Sequence, residues 1–338
     1  MERLGNSPML KEEWYFRHPY TCREDIEADY EIFDSSMLNK FAGCPYDYSL
    51  RYEHKLHAGV PRRAMFAGSA IHLGLDYFYT TGDEAGSIKL MREYWDDKEL
   101  EKLVPIKKEA HLTGDHLERA MQYYYDQWLR ERVDIYTPID PPTLDSLNLD
   151  DVIAAKWRIT DDGRVVLGES NLLMEFKIGD LTLVLAGKPD HIVQEQGGSL
   201  YIMDHKTTGS WISNWYWRLF DADNKMKVYI AMIYKLLGVM PRGYVINAIC
   251  VHERATTEKF GGTRSDRKAW SCVPEQVEDG LKNMMGYRAM IEKCRDIQWF
   301  PQGCDRCWNP DLCNNPHATR DYHIATTFEE TNRGFFDI

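Results

Sequence analysis

LTLVLAGKPDHIVQEQGGSLYIMDHKT, residues 181–207, is the stretch that decides the fold of this chain. Two apolar runs flank a short loop holding Gly197 and Gly198, and a glycine pair between such runs predicts antiparallel strands. Asp190 and Asp204 then fall on neighbouring strands. Side chains alternate along a strand, so Asp204 and Lys206 point to one face and His205 to the other. The stretch predicts a carboxylate pair with a lysine beside it.

Those residue types suit phosphodiester hydrolysis. The reaction needs hard oxygen ligands for magnesium or manganese, an activated water, and positive charge where the pentavalent phosphate accumulates negative charge. Asp190 and Asp204 supply oxygens, and Lys206 orients the water or neutralises the transition state. The same Asp-x-Lys triplet also occurs at strand ends as an ordinary ion pair, and spacing alone does not separate the two.

Working outward, VIAAKWRIT (152–160), RVVLG (164–168) and NLLMEFKI (171–178) are short aliphatic runs separated by turn signals, in outline an antiparallel meander. Downstream come a helix over 224–237, a strand in GYVINAICVHER (243–254), a weaker strand near Trp270 and a long helix over about 275–297. Upstream, Ser35 and Ser36 offer N-caps for a helix reaching Tyr52, which carries Cys44 and is broken or kinked by Pro45. A second helix over 64–79 carries His72 and stops at Gly82. Two more are expected over 85–97 and 112–133. PIDPPTLDSLNLDD (138–151) is the clearest connector. The expected organisation is an irregular arm (1–34), a helical part carrying Cys44 and His72 (35–150), a β-rich core (151–300), and a cysteine-bearing segment with a tail (301–338).

The chain has 338 residues, 43% of them hydrophobic and 12% aromatic, which is ample for a packed core. It shows neither an apolar run long enough to cross a membrane nor the pattern of a secretory signal, so an intracellular, cytoplasmic or nucleoid-associated location is expected, with a viral origin left open. The formal charge of −12 excludes indiscriminate coating of nucleic acid by a basic surface. A local basic stretch remains in RYEHKLHAGVPRR (51–63), where Arg62 and Arg63 are candidate phosphate contacts, or a solvated loop. In GSWISNWYWRLFD (209–221), Trp211 and Trp215 are candidates for stacking on unpaired bases, against the alternative that the whole aromatic segment is buried.

Gly187 to Asp190, followed by Ile202-Met203-Asp204-His205-Lys206-Thr207, resembles the PD-(D/E)XK nuclease superfamily and in particular its RecB-like branch. Gly68-Ser69-Ala70-Ile71-His72 is similar to the histidine motif of that branch. The resemblance implies an α/β restriction-endonuclease-like core, with a mainly antiparallel central sheet flanked by helices, an N-terminal helical insertion and a C-terminal cysteine-cluster segment. It implies that His72, Asp190 and Asp204 bind Mg2+ or Mn2+ with the backbone carbonyl of His205, and that Lys206 is catalytic. The activity implied is metal-dependent DNA cleavage, exonucleolytic on single strands or ends, in replication, recombination or repair. The branch also has a Gln-x-x-x-Tyr pattern on the helix after the lysine strand. Tyr229 fits it, whereas Lys225 replaces the glutamine and is a candidate phosphate contact. That departure keeps open a DNA-binding or structural protein with a degenerate site. Glu169 and Glu175 are further acidic candidates between which spacing does not choose. No helicase P-loop is present, so unwinding would need a helicase or recombination partner.

Eight cysteines in a chain without an export signal point to metals, not disulfides. Cys304-x2-Cys307-x5-Cys313 in PQGCDRCWNPDLCN is dense and turn-rich, suited to bending backbone around a metal. Three thiolates leave one ligand position, for which Cys44 and Cys294 compete. The resemblance extends to RecB-like exonucleases with iron-sulfur clusters, of the CRISPR-associated, AddB and mitochondrial single-strand types. It implies Cys44 as the fourth ligand, through FAGCPYDYSLRY (41–52), and a structural 4Fe-4S cluster. Ligand chemistry alone leaves structural zinc as the alternative.

Overall fold

The computed structural model describes residues 14–17, 31–55, 62–98, 109–130, 158–159, 165–166, 172–178, 181–195, 197–221, 223–257 and 260–301. In chain order the elements are β1 (Trp14–Arg17), β2 (Ile32–Asp34), α1 (Ser35–Gly43), α2 (Pro45–Tyr48), α3 (Arg63–Thr81), α4 (Glu84–Asp97), α5 (Gly114–Tyr125), β3 (Arg158–Ile159), β4 (Val165–Val166), β5 (Leu172–Ile178), β6 (Leu181–Gly187), β7 (His191–Gln194), β8 (Leu200–Thr208), α6 (Asn214–Trp217), α7 (Asn224–Leu237), β9 (Gly243–Cys250), β10 (Ser265–Ser271) and α8 (Pro274–Asp296). They fall into two compact units, one of residues 1–60, 171–187 and 274–338, the other of 61–170 and 188–273.

The first unit holds a four-stranded sheet in the order β1-β5-β6-β2. β1–β5 and β5–β6 are antiparallel, and β2 runs parallel to β6. β2 passes directly into α1, because Asp34 caps the helix by accepting the Met37 N–H at 2.8 Å. Cys44 ends α1 in extended conformation and begins α2, whose first residue is Pro45, the position where a missing N–H costs least. The helix expected as far as Tyr52 is therefore two helices, continued by a π-helical turn over Ser49–Glu53. Near the end of α8, Arg295 grips Glu31 at 2.6 and 2.7 Å and Glu53 at 2.6 and 3.0 Å, fastening both N-terminal segments to that helix.

The second unit holds the sheet β10-β9-β8-β7, antiparallel at both outer pairs and parallel between β8 and β9. A parallel pair needs a crossover, which α7 provides. It starts at the Asp223 cap and stops at Gly238, whose φ of 66° suits a residue without Cβ. The β7–β8 hairpin turns at the expected glycines, with Gly198 at φ 85° and its N–H donating to Glu195. Ala67, Ile71 and Leu75 of α3, Met91 and Trp95 of α4, and Leu117 and Met121 of α5 close a core with Ile249 and Val251. The meander expected from about residue 153 is thus divided among three sheets: β3 and β4 pair antiparallel by themselves, and the later strands part after Gly187 between the two four-stranded sheets, each with a parallel pair.

Candidate active site

β8 supplies the centre of the site. Asp204, 1% exposed, and Lys206 share a face, with the Lys206 ammonium against Asp204 Oδ2 and donating to the His205 carbonyl at 3.3 Å. Asp190 sits in the bend just before β7. The hairpin register, His191 opposite Met203, carries it to the Asp204 end of β8, where its Oδ2 accepts the backbone N–H of His205 at 2.6 Å.

α3 brings in the histidine. A Cβ at Gly68 would lie 3.3 Å from Thr207 Oγ1, so the glycine allows close approach of the helix to β8. His72, one turn further on the same face, places Nδ1 3.5 Å from Asp190 Oδ2. Burial alone would lower the pKa of His72 and raise that of Asp190. Their pairing outweighs it, holding His72 above its ordinary value and Asp190 well below the carboxylate range.

α7 adds a second lysine. The Lys225 N–H is held by Asp223 Oδ1 at 2.8 Å, and its ammonium donates to Asp204 Oδ1 at 3.1 Å. The ammonium also lies 5.2 Å from the ring centre of Tyr229, one turn on. Burial opposes the Lys225 charge, but Asp204 holds its pKa well above the usual value. The Tyr229 hydroxyl is pushed up to about 12, chiefly by burial.

Two carboxylates, an imidazole and the His205 carbonyl form an oxygen-rich donor set whose chemistry fits Mg2+ or Mn2+. Asp204 Oδ2 is a buried anionic oxygen, of the type a hard cation takes, and its partner in the structure is the Lys206 ammonium. Among the described residues no three His, Cys, Asp or Glu converge closely enough to hold an ion, and both Asp204 oxygens face lysines.

Behind β8 lies a polar network. His205 Nδ1 is 2.7 Å from Asn247 Nδ2, so it accepts there and the ring proton is assigned to Nε2. Burial, with His191 nearby, keeps this ring neutral by holding its pKa well below the ordinary value. Asn247 Oδ1 accepts from Arg267 Nε at 3.0 Å, while Arg267 Nη2 donates to the Tyr79 and Tyr124 hydroxyls at 2.5 and 2.6 Å. The guanidinium lies 4.1 Å from the Trp128 ring centre. The network fixes β8 at the residue whose N–H holds Asp190 and whose carbonyl receives Lys206. Arg267→Met removes the donors and leaves buried oxygens short of partners. It is expected to lower unfolding stability by about 2–4 kcal/mol in urea titration. A loss below about 0.5 kcal/mol, the size of a surface substitution, would contradict this role.

The structure therefore brings His72, Asp190, Asp204, His205, Lys206, Lys225 and Tyr229 together in one unit. Arg62 is exposed, but Arg63 is a correction: it is 6% exposed and donates Nη1 to the Leu112 carbonyl at 3.2 Å. Arg62 is the extended N-cap of α3 and Arg63 its first helical residue, so the basic pair divides between solvent and core where the helix begins. The aromatic segment divides too. Trp211 and Trp215 are 52% and 60% exposed, whereas Tyr216, Trp217 and Phe220 are buried. Cys44 is buried, Cys250 is core and Cys294 is partly exposed, all as free thiols; Cys304, Cys307 and Cys313 lie outside the described residues. Glu175 is buried in β5, 3.5 Å from Lys177, and Glu169 lies outside the described residues. Sequence reasoning missed Asn247 and Arg267, although one asparagine inside the apolar run of β9 was a usable signal.

The model of the PD-(D/E)XK nuclease superfamily matches residues 35–314. Among solved structures, a candidate exonuclease from Eubacterium rectale is similar at 13% identity and TM-score 0.46, over 91% of this chain and 95% of that one. Rai1 from Scheffersomyces stipitis, in complex with 3'-NADP+ and calcium ion, is similar at 14% identity and TM-score 0.24, over 80% and 70%. No curated protein matches the chain.

Proposed function

Since the chain belongs to the PD-(D/E)XK nuclease superfamily, we propose that His72, Asp190, Asp204 and Lys206 form the active site of a Mg2+- or Mn2+-dependent deoxyribonuclease, an exonuclease acting on single-stranded DNA or DNA ends. The observation that carries this is the convergence of two buried carboxylates, an imidazole and a lysine at one end of the β7–β8 hairpin.

His72, Asp190, Asp204 and the His205 carbonyl would hold the ion. When bound, it polarises the phosphate and acidifies a water. The chain's own groups do the rest. His205 N–H fixes the orientation of Asp190, and the polar network keeps His205 in place. Lys206, 31% exposed at its side chain, presents its ammonium where charge develops on the phosphate and orients the attacking water. His72 must surrender any proton shared with Asp190 before ligating, so ion binding releases protons and strengthens as pH rises.

A preference for unpaired strands is supported by the exposed tryptophans. Trp211 lies against Gly262, where a Cβ would come within 2.9 Å of the indole, and packs on Phe260, leaving much of the ring to solvent. Trp215 stands 5.8 Å from the Arg218 guanidinium, an aromatic and a cation side by side. Each base stacked on such a ring is worth about 1–3 kcal/mol. Trp215→Ala is thus expected to weaken binding of a short single strand by about 5- to 100-fold in anisotropy titrations, with little change for blunt duplex. Equal losses on both would remove the stacking role. The exonuclease reading is tested with linear and covalently closed single-stranded DNA. Degradation of the linear form alone is expected, and cleavage of the circle would overturn it.

The cysteines have a structural place in the proposal, with Cys44, Cys304, Cys307 and Cys313 holding a 4Fe-4S cluster. Tyr46 N–H donates to the Pro301 carbonyl at 3.2 Å, and the Tyr48 and Phe300 rings pack at 6.1 Å. Pro301, three residues before Cys304 in the sequence, is thus bonded to the residue two after Cys44. The Asp47 N–H already points at Cys44 Sγ at 3.4 Å, the kind of donor that steadies a thiolate. Processing of DNA ends in replication, recombination or repair, beside a separate helicase, is the corresponding role.

A further inference from the structure

Asp204 has more cationic company than an active-site lysine alone provides. Lys206, from the same strand, faces Oδ2, and Lys225, from α7, donates to Oδ1 at 3.1 Å. The second lysine is held from several sides: its own N–H is tied to Asp223, its ammonium lies over Tyr229, and its side chain is 21% exposed. A divalent ion ligated by Asp204 would share one carboxylate with two ammoniums in a buried place. Like charges at such range repel strongly, and Oδ1 has few lone-pair directions to divide. Lys206 has an alternative acceptor in the His205 carbonyl. Among the described residues, Asp204 is the carboxylate at ion-pair distance from the Lys225 ammonium, so moving that ammonium away calls for another anion.

We propose that Lys225 is a resident counter-cation of Asp204 that the divalent ion displaces, and that the displaced ammonium is received by a phosphate of the nucleic acid. This rests on the assignment of Asp204 as a metal ligand. Metal and nucleic acid then bind cooperatively: each is bound weakly alone, and each strengthens the other by the same factor, as linkage requires. The device keeps the ion site poorly loaded until a strand is present.

The test is Mn2+ binding by the full-length protein, followed by the electron paramagnetic resonance of free Mn2+, with and without a phosphorothioate single strand that resists cleavage. Without the strand, Lys225→Gln is expected to bind Mn2+ about tenfold more tightly than wild type, while Lys225→Arg, which keeps the charge, stays within about threefold. Adding the strand should tighten wild type about tenfold and Lys225→Gln less than about threefold. Equal Mn2+ affinity in wild type and Lys225→Gln, or equal enhancement by the strand in both, overturns the proposal. Circular dichroism monitors folding, and if Lys225→Gln unfolds, Lys225→Met at the same position is measured under the same criteria. Asp204→Asn separates this idea from its premise: unchanged Mn2+ binding there removes Asp204 as a ligand, whereas lost binding there with an indifferent Lys225→Gln removes only the displacement.

Discussion

Lys206→Ala is expected to remain folded and to cleave DNA about a thousandfold more slowly than wild type, the scale of losing one preorganised charge at a developing oxyanion. Folding should survive because Asp204 keeps Lys225 as a counter-ion at 3.1 Å. Asp204→Ala is a less informative variant, since it leaves two ammoniums near each other with no carboxylate between them. If Lys206 acts on the transition state and not on ground-state binding, the loss falls in kcat, with single-strand affinity nearly unchanged. Single-turnover cleavage and anisotropy measured on the same preparation separate the two. A loss confined to binding would place Lys206 among the phosphate contacts and leave the chemistry without its cation.

On the proposed 4Fe-4S assignment the wild-type protein is expected to be brown and to hold iron, and Cys44→Ser to lose both and to unfold at a temperature about 10 °C lower. The geometry around Cys44 explains the size. The residue ends one helix and caps the next, and two residues later the chain is bonded to Pro301. A cluster joining Cys44 to Cys304, Cys307 and Cys313 closes a loop of about 260 residues, which restricts the unfolded chain far more than a local contact would. Metal analysis with scanning calorimetry decides the point. A colourless protein holding zinc would replace iron-sulfur by a zinc site with the same ligands, and retention of iron by Cys44→Ser would transfer the fourth position to Cys294.

Much of the site was legible because its logic is local. Period-two alternation puts Asp204 and Lys206 on one face whatever the sheet does, and two glycines fix the hairpin that brings Asp190 alongside. Helix signals placed α3, α7 and α8 to within a residue or two: Gly82 and Gly238 stop their helices in left-handed conformation, and Asp223 caps its own. Strand partnership was not legible. Alternation marks a strand's faces but not its neighbour, so the parallel pairings of β2 with β6 and of β8 with β9 could not be read from the runs themselves. The network behind His205 joins positions 79, 124, 205, 247 and 267, and only the assembled sheet brings them together. Arg63 was misplaced for a simpler reason: a doublet of arginines reads as one basic patch, while a helix turns one inward.

The proposed activity depends on a cation-dependent nuclease site built on Asp190, Asp204, His72 and Lys206. The most direct measurement incubates end-labelled single-stranded DNA with wild type and with Asp204→Asn, each in Mn2+ and in EDTA. Cleavage by wild type in Mn2+ alone is predicted. Equal cleavage in EDTA, or wild-type rates from Asp204→Asn, would contradict it.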